Sequence, residues 1–273
     1  MPIPSGTINK KAYSHTQRAA QMGGRATLAK YGKIPVDPEM RKKAWFEWWN
    51  GLSEDERVRR YPRYCAREVV RPAKNELLAE FIGIILGDGG ISKYQICISL
   101  GSKTDRAYVK VIVEIIKRLF GVKPTTSETK KENVINIVIS RKKIVEFLLS
   151  NGLVIGNKVK QQVGVPSWII QNRRYALACV RGLMDTDGCI FRETHFYKNK
   201  AYSYPRMSFV NHSIPLCSFM FEVLRKAGIM ARFRSNRAVT IELPNDVRKY
   251  KCIVGFNNPK HAERYRRFTG GVR

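Results

Sequence analysis

Two stretches of this 273-residue chain carry the same steric pattern 99 residues apart. Gly87, Gly83 and Ala79 lie one, five and nine residues before Asp88, and Thr186, Gly182 and Ala178 lie at the same offsets before Asp187. Residues four apart share a helix face, so each stretch reads as a helix with a stripe of small side chains ending at an Asp-Gly pair. A glycine inside a helix costs about 1 kcal/mol relative to alanine. Close approach of two helix backbones offsets such a cost. The two stripes are therefore expected to pack on each other about a pseudo-two-fold axis, with both aspartates emerging at one end.

That end is electrostatically unfavourable. A helix C-terminus carries partial negative charge, and adjacent carboxylates repel each other. A hard divalent cation removes both objections, because Mg²⁺ takes carboxylate, water and phosphate oxygens. Taken singly, Asp88-Gly89 and Asp187-Gly188 read as helix-stop turns; the repetition of stripe, aspartate and glycine argues for more. The formal charge of the chain is +28, from 50 Lys/Arg and 22 Asp/Glu. Charge of that size implies a polyanionic partner, nucleic acid first and an anionic membrane surface second. A 44% hydrophobic content excludes a disordered basic tail. Paired carboxylates beside a basic surface suggest metal-assisted phosphodiester hydrolysis.

The chain reads as a basic N-terminal region over 1–75, with 16 Lys/Arg against 7 Asp/Glu, followed by a duplicated body over 76–170 and 171–273. In the first region Met22-Gly23-Gly24-Arg25 is expected to be a turn. Residues 38–50 are expected to form a helix with Trp45, Trp48 and Trp49 on one face, packing rather than stacking on bases, and 54–56 open another short helix. Each half then reads α-β-β-α-β-α. In the first, a helix over 76–88 capped by Asn75 precedes strands over 95–100 and 133–140, a helix over 105–120 ended by Gly121, and a last helix ending at Asn151-Gly152. The second half has a polar, Tyr-rich insertion over 194–205. No apolar stretch reaches the roughly 20 residues of a membrane span. The first six residues lack the pattern of a secretory signal. The six cysteines form no C-x-x-C pair and are expected to be reduced and intracellular, in cytoplasm or an organelle matrix.

Phe81-Ile82-Gly83-Ile84-Ile85-Leu86-Gly87-Asp88-Gly89 and Val180-Arg181-Gly182-Leu183-Met184-Asp185-Thr186-Asp187-Gly188 resemble the two motifs of the LAGLIDADG homing endonucleases, over roughly 76–268. Two copies in one chain resemble the monomeric members. The resemblance implies an α+β fold of two pseudo-symmetric αββαββα-type half-domains, each laying a curved antiparallel sheet into the DNA major groove. It implies that Asp88 and Asp187, with Gly87 and Thr186 beside them, hold Mg²⁺ or Mn²⁺ over the scissile phosphates. Leu86 departs from the pattern, which often has an acid there. Lys158 and Lys260 match the region of the basic residue that each half places near the metal water, and are expected to act with the aspartates in catalysis.

Groove-facing sheet residues should be long and polar. Lys93 and Gln95 fit this in the first half; Arg192, His195, Tyr197, Lys198, Lys200, Arg206, Arg232, Arg234 and Arg237 fit in the second. Ser102 and His212, taken as corresponding positions, are further candidates. The expected function is a site-specific double-strand DNA endonuclease with a long target. The alternative is a non-cleaving nucleic-acid binder on the same scaffold, an intron RNA maturase or a transcription regulator. An intein needs a nucleophile at its start and an Asn at its end; Met1-Pro2 and Gly271-Val272-Arg273 supply neither, so a free-standing protein is expected.

Overall fold

The computed structural model describes residues 15–32, 37–62, 65, 69–129 and 131–269. The expectations on residues 1–6 and 271–273 fall outside these. The chain divides into two compact units, Met1–Cys65 and Ala66–Arg273.

The first unit holds α1 (His15–Tyr31), α2 (Pro38–Gly51) and α3 (Glu54–Arg60). The expected turn at Met22–Arg25 is instead the middle of α1. Gly23 and Gly24 cost helix propensity, but the glutamine, arginine, alanine and leucine around them favour the helix. In α2, Asp37 caps the first turn by accepting from the Glu39 N–H at 2.9 Å. Ser53 does the same for α3 through Glu56. Trp45 and Trp49 stack at 5.5 Å, Trp48 meets the edge of Tyr61 at 5.1 Å, and the Arg57 guanidinium lies over Trp49. The tryptophans therefore pack among themselves, as expected.

The second unit contains both halves. Ahead of the first motif helix, Val69 packs on the core and the Lys74 carbonyl accepts the Tyr175 hydroxyl at 2.9 Å. The first half runs α4 (Glu76–Asp88), β1 (Gly89–Ile91), β2 (Ile96–Gly101), α5 (Arg106–Phe120), β3 (Thr125–Thr129), β4 (Val134–Ile139) and α6 (Lys142–Ser150). The short helices α7 (Lys158–Gln161) and α8 (Ser167–Ile170) lead to the second. It runs α9 (Arg173–Asp187), β5 (Gly188–Tyr197), β6 (Lys200–Val210), α10 (Ile214–Lys226), β7 (Ala231–Ser235), β8 (Ala238–Ile241), α11 (Pro244–Ile253) and α12 (Pro259–Thr269).

Each half builds one four-stranded antiparallel sheet, in the orders β1-β2-β4-β3 and β5-β6-β8-β7. This is the α+β, αββαββα arrangement that the resemblance implied, with one strand per half more than the residue pattern suggested. The added edge strands are β3, exposed throughout, and β7, exposed apart from Ala231. Neither shows the apolar alternation that marks a half-buried strand. The Tyr-rich insertion is regular: β5 and β6 run through it, joined at Lys198 and Asn199, whose φ of 47° and 60° suit a tight hairpin turn.

The helices α4 and α9 pack stripe against stripe. A Cβ on Gly83 would collide with the Cys179 carbonyl oxygen, and one on Gly182 with the Glu80 carbonyl oxygen. Ala79 and Ala178 are buried in the same seam. Buried Glu80 adds a polar tie between halves, accepting from Arg181 at 2.6 Å and from the Asn257 amide at 2.6 Å.

Candidate active site

Asp88 and Asp187 stand at the C-termini of the two abutting helices. Both helices turn straight into a strand through Gly89 and Gly188, each at φ −90°. These glycines are therefore required by space rather than by a left-handed conformation. A Cβ at Gly89 would sit 2.6 Å from the Ile85 Cα. A Cβ at Gly87 would strike the Thr186 hydroxyl and lie 3.2 Å from Asp187 Oδ2, so the two carboxyl-bearing turns are in contact. Burial, and then the neighbouring Asp187, push the Asp88 carboxyl up to about 7, against the pull of Lys158 and Lys260. Burial also raises Asp187, opposed by a 2.7 Å hydrogen bond from the Asn211 amide and by Lys158.

Lys158 lies in the site, but as a helix cap. Its ammonium donates to the carbonyls of Ile85 at 3.0 Å, Leu86 at 2.9 Å and Gly87 at closer range. It thus sets a positive charge on the carbonyl of Gly87, one of the expected metal ligands. The Thr186 hydroxyl is likewise turned inward, onto the Gly182 and Leu183 carbonyls. Burial lowers the Lys158 ammonium while Asp187 and Asp88 pull it up. Lys260 is held differently, in a 2.6 Å ion pair with Asp105 of the first half. Asp105 is also bonded by Thr104 at 2.6 Å and by the Asn258 amide at 2.9 Å. Asn258 in turn donates its N–H to Asp185 of the second motif helix at 3.0 Å.

Among the described residues no group of three or more His, Cys, Asp or Glu is placed to hold a metal ion, so the site offers the two carboxylates alone. Such a donor set does not make a closed protein cage. It fits a hard cation that keeps most of its coordination for water and phosphate oxygens, and Asp88 and Asp187 are the residues that would hold it.

Three site residues escaped the sequence reading. Asn211, not His212, corresponds to Ser102: the Ser102 N–H closes onto Asn133 and the Asn211 N–H onto Arg237, each at the same rung of its sheet. His212 is exposed, its carbonyl accepting from Gln162. The long β5–β6 hairpin hides this correspondence in the sequence. Asp105 reads from sequence as a helix cap, yet it makes no capping bond and turns to Lys260 instead. Asn258 was visible only as part of an Asn-Asn-Pro-Lys run.

The sheets have one face covered by helices and one uncovered, as the alternating burial of β2, β4 and β6 records. Lys93 and Gln95 are exposed in the β1–β2 turn, with Lys93 over the Tyr94 ring. Lys198, at the β5–β6 turn, lies over Tyr197. His195 and Arg206 share the uncovered face of the second sheet, 3.3 Å apart. Arg232 and Arg234 reach the same face, where both meet Glu242. Burial works against ionisation of Glu242, but the Thr240 hydroxyl and Arg234, Arg206 and Arg232 outweigh it and hold the carboxyl below its usual range. Arg192 is placed otherwise than expected. It alternates with buried Ile190 onto the covered side, reaches the Arg267 and Phe268 carbonyls of α12 at 3.4 and 3.5 Å, and lies over the Phe268 ring.

No protein-family description matches this chain, and no curated protein matches it. Solved structures do. They include full-length DUF199/WhiA from Thermatoga maritima, at 16% identity over 74% of this chain and with a TM-score of 0.45; this chain spans 63% of its length. The homing endonuclease I-DmoI in complex with DNA and Mn is similar at 18% identity over 66% of this chain and 96% of that one, TM-score 0.44. The LAGLIDADG meganuclease I-AabMI bound to uncleaved DNA is similar at 14% identity over 70% and 89%, TM-score 0.47. The chain's own topology gives two α+β half-domains, each a motif helix leading into a four-stranded antiparallel sheet.

Proposed function

We propose that this protein is a site-specific endonuclease that cuts both strands of a DNA duplex by metal-dependent hydrolysis, one strand per aspartate. The observation that carries the reading is the meeting of Asp88 and Asp187 at two helix ends whose own dipoles disfavour them. A fold has no reason of stability to set two carboxyls there, and it raises both. A divalent cation, Mg²⁺ or Mn²⁺, would supply charge neutralisation and an activated water when bound. The chain's own part is to hold those two carboxylates, to orient Asp187 through Asn211, and to keep the cations Lys158 and Lys260 close to the phosphate. The +28 charge supports a duplex as partner. Six free cysteines suit a reducing compartment, and a monomer suffices because both halves lie in one chain.

The test is cleavage of plasmid carrying the target in Mg²⁺, by wild type, Asp88→Asn and Asp187→Asn. Each single variant should lose at least about 100-fold in double-strand cleavage. Undiminished cutting by both would remove the assignment.

One observation favours a second reading, a binder that does not cut. The Lys158 ammonium on the Gly87 carbonyl sets a positive charge beside an oxygen the cation would use. Under that reading the same plasmid, or an intron RNA, is bound specifically and left intact by wild type.

A further inference from the structure

We propose that Glu242 is a specificity-determining residue: it gathers Arg206, Arg232 and Arg234 into one cluster that reads guanines in the half-site beneath the second sheet. The inference rests on the DNA-binding reading above and names what one half of it recognises.

The two uncovered faces differ in kind. Residues opposite one another in an antiparallel ladder project to the same side. In the first sheet that side carries Cys97, Ser99, Asn136, Val138 and Ser127, and the paired strands present no charged residue on it. In the second it carries arginines from two strands and acids beside them.

Glu242 lies one residue past β8, its side chain 13% exposed. One oxygen accepts from Arg234 at 2.5 Å and from the Thr240 hydroxyl at 2.9 Å. The other faces Arg206 at 3.5 Å and Arg232 at 3.8 Å. Glu193 ion-pairs with Arg206 from its other side. Three guanidinium groups from β6 and β7 thus share one carboxylate, and a second acid fixes the most buried of them.

A patch that only attracted backbone phosphate would be better without Glu193 and Glu242, since each acid cancels a positive charge. The pattern suits base reading. A guanidinium fork matches guanine O6 and N7, and a carboxylate accepts from the N4 amino group of the paired cytosine. Free arginines lose rotamer entropy on docking; arginines already held lose less.

The experiment selects duplexes from a randomised library with the full-length protein in EDTA, so that recovery reports binding alone. Guanines should be enriched in one half of the recovered site. Replacing them with 7-deazaguanine, which lacks N7, should weaken wild-type binding at least about fivefold. Glu242→Gln should bind with that penalty reduced below about twofold and with a steeper salt dependence. Thr240→Val, which removes only the hydroxyl on Glu242, should fall between, and serves where Glu242→Gln does not fold. Recovery of a specific site without guanine enrichment, or indifference to 7-deazaguanine, overturns the cluster and leaves the DNA-binding reading standing. Recovery of no specific site overturns both. An undiminished penalty in Glu242→Gln and Thr240→Val overturns the role of Glu242.

Discussion

Lys260, at the start of α12, is ion-paired at 2.6 Å with Asp105, at the start of α5, so an acid of the first half anchors a cation of the second. The pair is mostly buried, with 20% and 11% of the two side chains exposed. It lies close enough to Asp88 for both members to act on that carboxyl in opposite directions.

Asp105→Asn should therefore cost stability, about 1–3 kcal/mol at neutral pH, because it leaves a mostly buried ammonium without its counter-charge. Burial pushes the Asp105 carboxyl up, but the bonds from Lys260, Thr104 and Asn258 outweigh it and hold it below the usual carboxylate range. Its contribution is present above the ordinary aspartate pKa and is lost as pH falls through the folded value. Urea unfolding of Asp105→Asn, Lys260→Met and the double variant should give a coupling energy that shrinks in acid. Additive effects at every pH would show that the pair is not coupled.

Asp88 has the opposite sign. Its carboxyl sits at about 7 in the fold against an ordinary 3.8. The proton is held more tightly folded than unfolded, so its stabilising contribution is complete below 3.8 and lost as pH rises through about 7. The metal-free protein should lose melting temperature across that window. Mg²⁺ or Mn²⁺ should restore it at pH 8 but do little at pH 5, where the cation competes with a proton. Asp88→Asn should melt higher than wild type at pH 8 without metal and gain less from metal. A metal effect independent of pH would contradict the placement of the cation on this carboxyl.

The glycines of the motif helices separate two roles of one residue type. Gly83→Ala and Gly182→Ala drive a methyl into the facing backbone and should cost about 3 kcal/mol or prevent folding. Gly23→Ala and Gly24→Ala, in α1 with nothing near the new methyl, should leave stability unchanged or raise it by about 0.5–1 kcal/mol. Thermal unfolding of the four variants reads this directly, and equal effects would mean that helix propensity, not close packing, governs these positions.

Lys158→Met removes the donor shared by three carbonyls at the end of α4. It should cost about 1–2 kcal/mol and raise the Asp88 pKa further, since a positive neighbour is gone. Carboxyl titration followed by NMR, alongside unfolding, checks both. A lowered or unmoved Asp88 would place the ammonium away from it.

Most of the motif helices was legible in advance. Asn75 caps α4 as its sequence position suggests, and the small-residue stripe forms the seam, because helix period and glycine cost act locally. The edge strands β3 and β7 were not, because an edge strand of threonines or arginines is held by its neighbour's backbone rather than by an apolar face of its own. Arg192 has the residue type of a groove contact, but the pleat turns it onto α12.

The sequence by itself determined that two small-residue helices would meet and bring Asp88 and Asp187 to a shared end. Steric periodicity and charge are written residue by residue along one element. Only the tertiary structure decided how the surrounding cations are held: Lys158 on the carbonyls of α4, Lys260 on Asp105, and three arginines on Glu242. The first two pairs join elements distant in the chain and the third joins strands of one sheet, and a Lys or Arg side chain takes whichever acceptor the fold brings within hydrogen-bond reach.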